Sequence, residues 1–202
     1  GPEKARPVPA DGLVDALVKY WKSEGEARDK ALKAVESQLG KKPEKLRDAA
    51  PAAWAKLGPE KDQQEIPRKG GLQTLPFTLP DGGKASFCLQ LPNGDSQFHP
   101  LVLCLHGGGA GAGDGRQIYS YLGSLLPADA IILCPSVPKQ VGNAWDESSN
   151  HRYVEDLLRH VTRQVPVDPD RIYVCGASMG GWGTFTVSAD FLDRWAACAA
   201  FS

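Results

Sequence analysis

Val174-Cys175-Gly176-Ala177-Ser178-Met179-Gly180-Gly181 is the stretch that decides how this 202-residue chain is read. It follows an apolar, strand-like run and opens a helical pattern, so Ser178 falls on a sharp strand-to-helix turn. A serine hydroxyl is a poor nucleophile unless it is held exposed, beside a base and close to backbone N–H donors. A tight turn supplies the exposure and strains the serine's own backbone. Gly176 and Gly180, two residues before and two after, let neighbouring backbone pass without a clash.

Working outward from this turn, apolar strand-like runs alternate with helical patterns. Residues 100–106, 130–134, 171–175 and 195–200 have strand character, and 100–106 is apolar throughout, as in a strand buried on both faces. Helical spacing occupies 116–126, 153–165 and 179–189. This alternation predicts an α/β fold, a mainly parallel sheet flanked by helices. Upstream, 72–79 and 84–91 are strand-like around Pro80-Asp81-Gly82-Gly83, a strong turn signal, which adds an antiparallel hairpin at one edge.

Residues 1–70 differ in composition, being rich in Lys, Glu and Ala. Asp11 caps a first helix with Leu13, Val14, Leu17, Val18 and Trp21 on one face. A second runs through Ala27, Ala31, Leu32, Val35 and Leu39 and stops at Gly40. Pro43 stands in the first turn of a third, interrupted by Pro51. Residues 58–71 are polar and Pro/Gly-bearing and read as a linker. The expected division is therefore 1–70 as a helical N-terminal extension with linker, and 71–202 as the α/β core. The extension has too few apolar residues for a core of its own.

Bulk properties exclude several classes. The net charge of −1 gives no electrostatic case for nucleic acid or an anionic membrane surface. Apolar runs fall short of the roughly 20 residues that a membrane span needs. The chain opens on Gly-Pro, which reads as a processing or tag-cleavage remnant, and the expectation leans to an extracytoplasmic protein with any signal peptide removed. Cys88, Cys104, Cys134, Cys175 and Cys198 fall in separate strand-like segments, are odd in number and lack Cys-x-x-Cys spacing, so they read as small buried hydrophobes.

A second constellation follows the apolar run at 100–106: His106-Gly107-Gly108-Gly109-Ala110-Gly111-Ala112-Gly113. Glycines at the carboxyl end of a parallel strand let backbone N–H groups converge on a developing oxyanion. Taken with Gly176-Ala177-Ser178-Met179-Gly180 downstream, the chain resembles the α/β-hydrolase superfamily over residues 72–202. Asp168-Pro169-Asp170-Arg171-Ile172-Tyr173-Val174 before the turn and Gly180-Gly181-Trp182-Gly183 after it are similar to secreted-type serine esterases and peptidase-like hydrolases. These include polyhydroxybutyrate depolymerase and feruloyl esterase relatives.

The resemblance implies Ser178 as nucleophile, with the backbone N–H of Met179 and of Gly108 or Gly109 as oxyanion donors. It implies a structural His106, no cofactor, no metal, and a small-molecule or polymer ester as substrate. In that family the acid and then the histidine follow the serine. Here no histidine follows Ser178, and the carboxylates after it are Asp190 and Asp193, at the end of the helix. The expectation is therefore a hydrolase core that lacks the C-terminal strands carrying acid and histidine. Cleavage of peptides on the same fold, and a non-catalytic fragment or binding module, are the alternatives.

Competing readings are weaker. Gly107-x-Gly109-x-x-Ala112 fits a dinucleotide fingerprint, but the next strand ends in Cys134-Pro135 where ribose would need a carboxylate. His99, His106, His151 and His160 do not put two imidazoles on one helical face, which argues against a metal set. His151 is read as a surface residue at a helix start. Trp145 and Trp182 are candidates to line the substrate site, with buried packing as the competing role.

Overall fold

A computed structural model of the chain describes residues 9–92, 98–108, 113–138 and 145–202. Three helices come first: α1 (Asp11–Lys22), α2 (Gly25–Leu39) and α3 (Lys45–Trp54). The core then runs β1 (Gly71–Thr78), β2 (Lys84–Leu91), β3 (His99–Leu105), α4 (Gly115–Leu122), β4 (Ile131–Pro135), α5 (Ser148–Thr162), β5 (Val167–Ala177), α6 (Met179–Asp190) and β6 (Ala197–Phe201). The strands form one mixed sheet in the order β1-β2-β4-β3-β5-β6. β3, β4, β5 and β6 are parallel, and the β1–β2 hairpin joins antiparallel through β2 against β4.

The period-2 alternation of the central strands divides the core into two layers. Leu101, Leu103 and Leu105 of β3 face one side, with Ile131 and Leu133, against Tyr153, Leu157 and Val161 of α5 and Val187 of α6. Val102 and Cys104 face the other side, with Ile132, Cys134 and Cys175, against Ile118 of α4. Every residue of β3 is buried, so its apolar run needs cover on both faces. Cys88, Cys134, Cys104 and Cys175 form a row across β2, β4, β3 and β5, all buried as free thiols, whereas Cys198 on β6 is exposed. β6 pairs with β5, and four of its five residues are exposed, Phe201 among them.

The N-terminal helices differ from expectation in three ways. Asp11 is the first helical residue rather than the cap, and the N-cap is Ala10 without a side-chain bond. α3 runs through Pro51 instead of breaking there. Proline removes a single helical donor, and burial of Ala49 and Ala53 against Leu13, Val14 and Leu17 holds the turn together. The stretch read as a linker is fastened just past the end of α5: Gly58 N–H donates to Arg163 O, Arg163 Nε donates back to Gly58 O, and Ile66 N–H donates to Gln164 Oε1. The buried Ile66 side chain adds roughly 2 kcal/mol of apolar burial.

The three-helix cluster reaches the core through Trp54, whose Nε1 donates to Thr162 Oγ1 at 3.1 Å, and through the exposed Arg47–Asp170 pair at 3.2 Å. Asp170 lies near the start of β5 and Ser178 just past its end. Eight residue steps along the strand, about 26 Å, separate the extension's anchor from the serine.

His160 is buried on α5, edge-on to Phe77 and Phe87 and within reach of Gln164 Nε2. Burial pushes its pKa down to about 4; the Glu60 carboxylate opposes this and Arg163 reinforces it. The unfolded chain takes up this proton near the ordinary histidine value of about 6.5, so between about 6.5 and 4 the unfolded state binds more protons. Stability from this group is complete above pH 6.5 and is lost as pH falls through that window, by about 3 kcal/mol. His160→Leu is expected to flatten the decline in urea midpoint between pH 6.5 and 4, and an unchanged slope would refute the assignment.

Candidate functional site

Ser178 stands exposed between β5 and α6, with φ +54° and ψ −120°. That is left-handed backbone space, which a residue with a Cβ occupies at a cost of order 1–3 kcal/mol. The surroundings over-determine it. Ser178 N–H donates to Phe201 O of β6 at 2.9 Å, and Ser178 O accepts from Trp182 N–H at 3.1 Å. The helix head presses on the end of β3: a Cβ on Gly180 would lie 1.9 Å from Leu105 O, and one on Gly176 would lie 2.2 Å from Gly180 O. Any side chain at either position would break the turn.

The loop after β3 comes to the same point. A Cβ on Gly107 would sit 3.2 Å from Ser178 Cβ and 3.0 Å from Ala177 O. Gly108 follows with φ +85°. Met179 opens α6, where the first N–H groups have no intrahelical acceptor. His106 is buried beneath this loop. Its Nδ1–H donates to Gly107 O at 2.8 Å and its Nε2 accepts from Val137 N–H at 3.1 Å. Burial lowers its pKa, outweighing the Gly107 bond and the Asp114 carboxylate, so the ring stays neutral and both nitrogens are engaged. α4 begins beyond the loop, capped by Asp114 Oδ1 accepting from Gln117 N–H at 2.9 Å, an arrangement worth about 1 kcal/mol.

No protein-family model and no curated protein matches this sequence. Solved structures do. A thermostable esterase superposes with a TM-score of 0.55 at 23% identity, over 63% of this chain and 40% of its own length. A poly(3-hydroxybutyrate) depolymerase from Bordetella parapertussis gives 0.54 at 16%, over 65% and 52%. An acetyl xylan esterase from Aspergillus awamori gives 0.53 at 20%, over 64% and 50%.

The chain has the α/β-hydrolase fold. It spans about half the length of the solved structures it matches.

On this α/β-hydrolase sheet the residues singled out from sequence fall into three groups. Ser178 and Met179 stand at the carboxyl end of β5 with Gly107 of the loop after β3 against the serine, and Gly108 is the next residue of that loop. Gly109 lies outside the described residues. Trp182 is 61% exposed, one turn along α6 from Ser178. Trp145 is fully buried instead of lining an open surface: its ring packs edge-on to His106 and its Nε1–H donates to His106 O at 3.0 Å.

His151 is a correction too. It is buried, not superficial, because its Nδ1 meets Asp190 Oδ2 at 2.5 Å and its Nε2 meets Trp145 O at 2.6 Å. Asp190 ends α6 and Ser178 precedes it, so the length of the helix, about 18 Å, separates this pair from the serine. His99 Nδ1 is 2.9 Å from Asp129 O, at the opposite end of β3. With His106 and His160, all four histidines are engaged away from the Ser178 hydroxyl. The Trp145–His106 and His151–Asp190 bonds each span 39 residues and left no local signal in the sequence.

The geometry makes opposite predictions for two neighbours. Ser178→Gly relieves the backbone strain and should raise stability by about 1 kcal/mol, whereas Gly180→Ala should lower it by several kcal/mol, because backbone cannot retreat as a side-chain tip can. Thermal unfolding of the two variants checks both signs.

Proposed function

We propose that the protein is a serine hydrolase that cleaves carboxylic esters through an acyl-enzyme on Ser178. The observation that carries this reading is the strained, exposed Ser178 at the head of α6 with the Gly107–Gly108 backbone against it. Ser178 Oγ attacks the carbonyl carbon, its proton passes to a base, and the carbonyl electrons move onto oxygen. The N–H groups of Met179 and Gly108, with Gly109 as the other candidate donor, receive that oxyanion. Collapse expels the alcohol, which takes the proton, and water then hydrolyses the acyl-enzyme. Trp182, exposed one turn along α6, offers an apolar face to the substrate. All four histidines have partners elsewhere, so the reading assigns the base to none of them.

One observation favours a second reading. The same engagement of the histidines suits a non-catalytic module that binds through the oxyanion pocket. Peptide-bond cleavage is the alternative chemistry at the same serine.

A fluorophosphonate probe and a panel of short acyl esters and peptide amides separate these readings. The expected result is labelling that is lost in Ser178→Ala, and serine-dependent cleavage of esters ahead of amides. Labelling that ignores Ser178→Ala, or none at all, would leave the binding module, and amides cleaved ahead of esters would make it a peptidase.

A further inference from the structure

One face of α6 carries a line of contacts that the chemistry above does not use. At the helix head, a Cβ on Gly180 would lie 2.8 Å from His106 O. One turn on, a Cβ on Gly183 would lie 2.2 Å from Trp145 Cβ, so this glycine lets Trp145 lie flat on the helix. Thr186 Oγ1 lies 3.3 Å from Trp145 O and 3.2 Å from Gly183 O, its one hydrogen shared between the two carbonyls. In the last turn, Asp190 meets His151 Nδ1, and the other nitrogen of that ring meets the same Trp145 carbonyl. Spacings of three and four residues keep 180, 183, 186 and 190 on one helix face. Trp145 is therefore gripped at its backbone by Thr186 and by His151, which Asp190 holds in turn, and at its ring by burial.

The free end of this grip is the indole N–H, which donates to His106 O. His106 C=O and Gly107 N–H share one planar peptide unit, so this bond sets the orientation of that plane. The next plane holds Gly107 C=O and Gly108 N–H. It is set by the His106 imidazole, whose Nδ1–H donates to Gly107 O and whose ring packs against Trp145 with centroids 5.2 Å apart. Two consecutive peptide planes, both at glycines that cannot restrict themselves, are thus fixed from outside the loop.

We propose that Trp145, clamped by His151 and Asp190, is a positioning residue that aims the Gly108 N–H at the oxyanion formed on Ser178. This rests on the serine-hydrolase reading above. The indole donor acts through His106 and Gly107 and touches no substrate. Misplacing a donor by about 1 Å costs on the order of a hundredfold in rate, and losing one outright about a hundred- to a thousandfold.

The test compares the intact wild-type chain with Trp145→Phe, which keeps an aromatic ring and removes the donor, and with Asp190→Asn, which loosens the clamp. Amide exchange at Gly107 and Gly108 is followed by NMR, together with kcat and KM for a short acyl ester, with Ser178→Ala as the blank. The expected result is about tenfold faster exchange at Gly108 in Trp145→Phe, with the β3 amides unchanged. A roughly ten- to hundredfold fall in kcat at near-constant KM should accompany it. Asp190→Asn should shift both in the same direction by less, and it supplies the readout if Trp145→Phe does not fold.

Unchanged exchange at Gly108, or a rise shared by all of β3, overturns the positioning role whatever the activity. Faster exchange with kcat unaltered overturns it as well. Faster exchange at Gly108 in a protein with no Ser178-dependent turnover supports the clamp and overturns the hydrolase reading instead.

Discussion

The contact between the head of α6 and the end of β3 is the constraint on which the rest depends. Leu105 O lies where a Cβ on Gly180 would be, so helix and strand meet backbone to backbone. That approach makes the β5–α6 turn tight enough to drive Ser178 into left-handed space. It also brings the loop after β3 against the serine. Were the helix one side chain further away, Gly107 would lose contact with Ser178 and the convergence of the two segments would be gone. The strain at Ser178 is maintained by packing elsewhere: Gly181 and Ser178 N–H against Phe201 O of β6, and Val187 in the main core.

Burial and charge divide labour among the histidines. His106 and His160 are held neutral by desolvation and serve as hydrogen-bonding spacers, one under the glycine loop and one between α5 and the β1–β2 hairpin. His151 joins two helices and a loop through one ring. None of these roles requires proton transfer. A serine in the right backbone setting is thus only part of a catalytic unit. The two glycine-bearing segments come from strand ends that lie next to each other in the sheet, whereas a base must be brought in on an element of its own.

Much of the fold was legible because it rests on local signals. The full burial of β3 follows from seven residues without a break in apolarity save at its first, the hairpin from Pro80-Asp81-Gly82-Gly83, and the turn at Ser178 from its two flanking glycines. Errors arose where local preference met tertiary packing. Pro51 should end a helix, yet buried alanines on either side carry the helix through it. The polar stretch 58–71 carries loop composition, yet the backbone of Gly58 and of Ile66 finds partners at Arg163 and Gln164, just past the end of α5. His151 has the polarity of a surface residue, yet a carboxylate 39 positions away gives it a buried partner.

From the sequence alone came the α/β alternation, the two glycine-rich segments at strand ends, and the identity of the serine between them, since these depend on periodicity and on where a Cβ is tolerated. Tertiary structure decided that the two segments touch, that Trp145 is buried against His106, and that each of the four histidines has a partner other than Ser178. The physical reason is one of range. Strand and turn propensities act over a few residues, whereas a hydrogen bond from an indole to a carbonyl 39 residues away exists only once the sheet has brought both to the same place.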